Sequence, residues 1–72
     1  MTSSLWEKRV RIALLGTIGP GFMTWKAIMI GVDDAGIKVN NWLDVRDVLQ
    51  GLIDGGSIER EESIVREAYR ST

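Results

Sequence analysis

The stretch from Asn40 to Arg60, NNWLDVRDVLQGLIDGGSIER, decides the fold, because a helical pattern ends within it and an extended pattern begins. Its apolar side chains recur at spacings of three and four residues, which places them on one face of a helix. They are Trp42, Val45, Val48, Leu49, Leu52 and Ile53. We expect Asn40 or Asn41 to cap this helix, and Gly55 with Gly56 to end it.

The last segment, SIEREESIVREAYRST, fits two structures. As a β-hairpin it forms two strands around a polar turn at Glu61 to Ser63. As a fourth helix it places Val65 and Tyr69 in an apolar i,i+4 pair. We favour the hairpin, because the double glycine before SIER leaves an alternating run that is too short for a helix. The sequence thus predicts an α+β chain with three helices and a C-terminal β-hairpin; the alternative is an all-α chain.

Two further helices are expected before this stretch. The first begins near Ser4, which has the spacing of a capping box with Glu7. Its apolar face comprises Trp6, Val10, Ala13 and Leu14, widened by Ile12 and Leu15. Three glycines and a proline in GTIGPG, residues 16–21, end this helix. Phe22 is expected to fill the core at the corner that follows.

The second helix is expected to follow Thr24, which is an acceptable N-cap. Its buried stripe comprises Ala27, Ile28, Gly31, Val32 and Ala35. Gly36 suits the left-handed position after a helix, and Ile37 is placed to enter the core as the chain turns.

Length and composition limit the function. A chain of 72 residues with 44% hydrophobic and 26% charged residues has the size of one small domain, residues 1–72. It has no cysteine and no histidine, which excludes disulfides, zinc fingers and imidazole catalysis. The carboxylates of Asp33, Asp34, Asp44 and Asp47 lack the spacing of a calcium loop. We therefore expect no enzyme activity, no cofactor and no metal. With no leader and no apolar run of about 20 residues, we expect a cytoplasmic protein without a membrane contact.

The element order and one motif resemble those of the winged helix-turn-helix family. The run VRDVLQGLIDGGSIER is similar to the V-x-x-x-L-x-x-L-x-x-x-G-x-I-x-R run that joins the recognition helix to the wing there. It matches at Val45, Leu49, Leu52, Gly56, Ile58 and Arg60. The resemblance implies a DNA-binding transcription regulator of the small phage, plasmid or bacterial type that binds as a homodimer to a two-fold site.

The resemblance also implies which side chains meet double-stranded DNA. On the third helix, amide and guanidinium groups are the base readers, because they pair with adenine and guanine. They are Asn41, Arg46 and Gln50. The side chains that contact the phosphate backbone are Lys8, Arg9, Arg11, Lys26, Lys38 and Arg60. An equally simple interpretation is that the polar residues of the third helix are a solvated face.

The distribution of charge along the chain favours a basic protein as the partner instead of DNA. Residues 1–39 carry five basic and three acidic side chains, whereas residues 40–72 carry four basic and seven acidic ones. Acidic residues on the third helix and in the hairpin repel phosphates. The alternative function is therefore a winged-helix protein-interaction module whose acidic third helix and wing bind a basic protein of the transcription machinery. Three tryptophans, Trp6, Trp25 and Trp42, exceed what one small core accommodates, so one of them is a candidate interface anchor.

Overall fold

The computed structural model describes residues 5–62 and 67–72. Along the chain it contains α1 (Leu5–Thr17), β1 (Met23–Thr24), α2 (Trp25–Asp34), α3 (Trp42–Asp54), β2 (Ile58–Glu62) and β3 (Glu67–Ser71). The α+β class, with three helices followed by a hairpin, is confirmed. The alternative with a fourth C-terminal helix is wrong, because residues 58–62 and 67–71 of the segment that would form it are strands β2 and β3. The predicted capping residue Ser4 and the predicted strand residue Val65 lie outside the described residues.

The three strands form one antiparallel sheet in the order β1-β3-β2. The hairpin extends further than the sequence predicted: Glu61 pairs with Ala68 and Glu62 with Glu67, so both glutamates belong to β2 and not to a turn. The ladder with β3 keeps them extended. The short strand β1, which the sequence did not predict, pairs with the other edge of β3 through Met23 and Tyr69.

Caps predicted from the sequence set the limits of α2 and α3. The Thr24 side chain accepts a hydrogen bond from the Ala27 amide at 3.3 Å. Of the two candidate asparagines, Asn41 caps α3, and its Oδ1 accepts from the Leu43 amide at 3.0 Å. Gly36, with a φ of +78°, adopts the left-handed conformation after α2.

The core lies between the three helices and the inner face of the sheet. Its fully buried members are Val10, Leu14, Ile18, Ile28, Val32, Val45, Leu49, Ile58 and Tyr69. The predicted apolar stripe of α3 is confirmed, since all of its residues are buried or half-buried. Ile37 also packs against the core, as expected. An indole hydrogen bond from Trp6 Nε1 to the Lys38 carbonyl, 2.8 Å long, joins α1 to the connection between α2 and α3.

Four apolar residues that the sequence predicted to be buried are exposed. Ile12 and Leu15 are 67% and 43% exposed, because α1 packs through the side that carries Val10 and Leu14. Ala35 is exposed at the end of α2. Phe22 does not fill the core either: Ile18 is buried at that corner, and the Arg70 guanidinium carbon lies 4.7 Å from the centre of the Phe22 ring.

The first two helices approach each other closely at Gly31. A Cβ atom added at Gly31 would collide with the side chain of Thr17 near the end of α1. The absence of a side chain there allows the helices to pack, which explains a glycine in the interior of α2. Within residues 5–62 and 67–72, no helix is long and apolar enough to cross a membrane.

Candidate interaction surface

The outward side of α3 carries carboxylates and an exposed leucine. At 100° per residue, positions 43, 47, 50 and 54 form one stripe, opposite the buried Val45 and Leu49. All four side chains on that stripe are exposed, and Leu43 is 65% exposed. Asp44 is exposed beside them. We call this surface the acidic face and define it as Leu43, Asp44, Asp47, Gln50 and Asp54. It contains three carboxylates and no basic residue.

Gln50, a predicted base reader, is engaged on this face. Its Nε2 donates a hydrogen bond to Asp54 Oδ1 at 2.9 Å, one turn further along α3. Asn41, a second predicted base reader, uses its side-chain oxygen to cap α3. Both side chains therefore already have partners within the chain, and the prediction that they contact bases stays a prediction.

Arg46, the third predicted base reader, lies at the junction of α3 with the sheet. Its Nη2 is 3.1 Å from Glu67 Oε2 and 3.4 Å from the Tyr69 hydroxyl, to which it donates. Its guanidinium carbon lies 5.2 Å from the centre of the Trp25 ring, in cation–π geometry. The side chain is 41% exposed. These contacts hold the guanidinium against the sheet and away from the outward stripe.

Tyr69 completes this cluster. Its hydroxyl donates to Glu67 Oε2 at 2.7 Å, so the carboxylate accepts from the tyrosine and from Arg46. The hydrogen bond from Tyr69, together with the positive charges of Arg46 and Arg60, lowers the pKa of Glu67, although burial opposes the shift. Burial and the neighbouring Glu67 raise the pKa of Tyr69. The cluster stabilises the ionised carboxylate and connects α3 to β3.

Two ion pairs lie within the hairpin. Arg60, predicted to contact the DNA backbone, forms an ion pair with Glu62, with Nη2 and Oε1 2.9 Å apart. On the opposite face of the hairpin, Arg70 and Glu59 pair across the strands at 3.2 Å. These partly exposed pairs contribute little to stability, but they neutralise the two arginines.

The remaining predicted backbone contacts are dispersed. Lys8, Arg9, Lys26 and Lys38 are exposed, and Arg11 is half-buried. Arg9 and Lys38 line one groove between α1 and the α2–α3 connection. Arg11 lines a different one, beside Asp44 and Asp47. Lys26 lies on the first turn of α2 and lines neither groove. The cations thus form no single surface around α3.

The tryptophans are all half-buried. Trp25 and Trp42 pack edge to face, with ring centres 6.3 Å apart and an angle of 87° between the planes. Trp6 packs against the core, and its indole nitrogen donates a hydrogen bond to the Lys38 carbonyl oxygen. None of the three is a projecting anchor, and Leu43 is the exposed apolar side chain on α3.

Sequence reasoning missed two features of this region. The partners of Arg46 stand 21 and 23 residues further along the chain, and no local pattern signals such a pairing. The groove that Arg9 lines was also missed, because it forms where α1 packs against the connection between α2 and α3, which is distant along the chain.

Within the part of the chain that the structure describes, no three carboxylates are close enough to hold a metal ion. No protein-family model, curated protein or solved structure matches this chain.

Proposed function

We propose that this chain is a small interaction module of the winged-helix type that binds a basic protein through the acidic face of α3. A component of the transcription machinery, such as a polymerase or another regulator, is the class of partner that the resemblance suggests. The order of three helices followed by a hairpin is the order that the resemblance implies, and it supports the winged-helix assignment.

The single observation that carries the proposal is the composition of the acidic face. A helix that reads a major groove must bring its outward side chains close to two phosphate backbones. Here the outward stripe carries Asp47 and Asp54, with Asp44 beside them, and no basic residue lies on that stripe. Arg11 and Lys38 each line a groove that Asp44 also lines, but neither forms an ion pair with it. Basic side chains on a protein would instead gain favourable electrostatic interactions, and Leu43 would supply an apolar contact at the N-terminal end of the face.

A DNA-binding regulator is the second candidate function. Exposed cations favour it: Lys8, Arg9, Lys26 and Lys38 have no ion-pair partner among residues 5–62 and 67–72. They are available to neutralise phosphates, which is the main source of DNA affinity that is independent of sequence. In this function Arg46 would have to leave Glu67 and Tyr69 before it could read a base.

The test compares two probes with two charge-matched variants. The probes are a lysine-rich peptide with a central leucine and a set of random and selected DNA duplexes, each titrated by fluorescence anisotropy at two salt concentrations. One variant carries Asp44→Asn and Asp47→Asn. The control carries Asp33→Asn and Asp34→Asn, which remove the same charge from exposed positions at the end of α2.

We expect the first variant to bind the peptide about tenfold more weakly, a loss of roughly 1.4 kcal/mol, and the control to bind like the parent. The first variant should also gain affinity for DNA of any sequence, because two repelling charges are gone. The proposal fails if the parent prefers one duplex, if Arg46→Ala removes that preference, and if the two aspartates have no effect on peptide binding.

A further inference from the structure

A second exposed surface, between α1 and the connection from α2 to α3, has the opposite chemistry. It is a groove of about 650 Å³ whose lining includes the apolar side chains of Ile12, Ala13 and Ile37. Arg9 and Lys38 also line it, and no acidic side chain does. Ile12 is 67% exposed there. We call this surface the basic groove.

The acidic face and the basic groove complement each other. The face presents one exposed leucine beside Asp44 and Asp47, and the groove presents an exposed isoleucine beside Arg9 and Lys38. Leu43 does not line the groove of its own chain. An apolar side chain with flanking carboxylates is the ligand that an apolar groove with two flanking cations would select.

We propose that the basic groove binds the acidic face of a second copy of this chain, so that Leu43 of one copy contacts Ile12 and Ile37 of the next. Asp44 and Asp47 would then lie opposite Arg9 and Lys38. This inference rests on the proposed function, because it names a copy of the chain as a basic partner of the acidic face.

The two surfaces differ, and the contact is therefore heterologous. Each copy that binds through its face leaves its groove free for another copy, so the association continues from head to tail unless the rotation closes a ring. A two-fold pairing of α1 with α1 would also cover Ile12. It would, however, leave Leu43 and the carboxylates of the acidic face without a partner.

Two complementary variants test the head-to-tail contact. The face variant carries Leu43→Ser and Asp47→Ser, and the groove variant carries Arg9→Ser and Ile12→Ser. All four side chains are exposed, so both variants should fold. The control, Lys26→Ser with Ile30→Ser, removes an exposed cation and an exposed apolar residue of α2 outside the groove. The measurement is the weight-average mass by sedimentation equilibrium between roughly 10 µM and roughly 1 mM, a range suited to weak association.

We expect the mass of the parent and of the control to rise with concentration beyond that of a dimer. Each of the two variants alone should stay monomeric. An equimolar mixture should stop at the mass of two chains, because one intact face meets one intact groove and the other two surfaces are inactive. If the face variant alone still forms dimers, the contact is a two-fold pairing and the proposal is wrong. A mixture that stays monomeric also overturns it.

The peptide titration separates this failure from that of the proposed function. A parent that stays monomeric but binds the lysine-rich peptide through Asp44 and Asp47 overturns the self-association and leaves the proposed function in place. A parent that does neither overturns both.

Discussion

At the scale of single residues, Arg46 shows why an exposed polar position is hard to interpret from a sequence. Its place on α3 predicts a solvent-facing cation, and the helical pattern around it is correct. Its guanidinium nevertheless contacts Glu67, Tyr69 and Trp25, which belong to other elements. A base reader and a residue that joins a helix to a sheet have the same local signature, so only the tertiary contacts distinguish them.

The lowered pKa of Glu67 predicts a dependence of stability on pH. Its pKa in the folded chain lies below the ordinary value of 4.5, so its contribution to stability is complete above pH 4.5 and is lost as the pH falls through the lower, folded value. Glu67→Gln should therefore reduce the loss of thermal stability on acidification below pH 4.5. The measurement is the melting temperature, by circular dichroism, from pH 3 to about pH 6.

Glu61→Gln is the control for this prediction, because it removes the same charge from the neighbouring strand β2, where Glu61 is exposed. It should keep the acid dependence of the parent. Equal acid profiles for the parent and Glu67→Gln would show that the cluster with Arg46 and Tyr69 does not stabilise the carboxylate.

At the scale of secondary-structure elements, local patterns sufficed where an element is defined by its own residues. The limits of α3 follow from Asn41, the apolar repeat and the double glycine, all of which act within a few residues. Strand β1 was missed, because two residues carry no period and Met23 is extended by pairing with Tyr69 near the other end of the chain. The apolar repeat of α1 likewise does not predict that the side chain of Ile12 is exposed.

Two glycines inside helices should respond to alanine in opposite directions. Alanine favours a helix over glycine by about 1 kcal/mol, and a Cβ at Gly51 meets nothing within 4 Å. Gly51→Ala should therefore raise the free energy of unfolding by up to about 1 kcal/mol. Gly31→Ala should lower it, because its Cβ would collide with Thr17 and separate α1 from α2.

Urea unfolding of both variants measures these changes, and each glycine serves as the control for the other. A gain in stability for Gly31→Ala would mean that Thr17 moves aside and that the close approach of α1 and α2 does not depend on the glycine.

At the scale of the whole molecule, the residues of α3 that stabilise the fold and those proposed to bind a partner lie on opposite sides of the helix. Its inner residues Val45 and Leu49 are 0% and 2% exposed and belong to the core, whereas the acidic face points away from it. A domain of this size is stabilised by only about 5–10 kcal/mol, so it cannot lose a core side chain. The exposed residues of the face, in contrast, can change with little effect on folding.

Two leucines on the same helix test this separation. Leu49→Ala should cost about 2–5 kcal/mol, because the cavity it leaves is surrounded by the core, and much of the population should unfold. Leu43→Ala should change stability by less than about 0.5 kcal/mol, since Leu43 is 65% exposed. It should nevertheless weaken binding of the lysine-rich peptide, because the apolar contact at the N-terminal end of the acidic face is gone. Melting curves and anisotropy titrations of both variants measure the two effects. If Leu43→Ala destabilised the chain as much as Leu49→Ala, binding losses on the acidic face would report unfolding, and the face could not be assigned a role of its own.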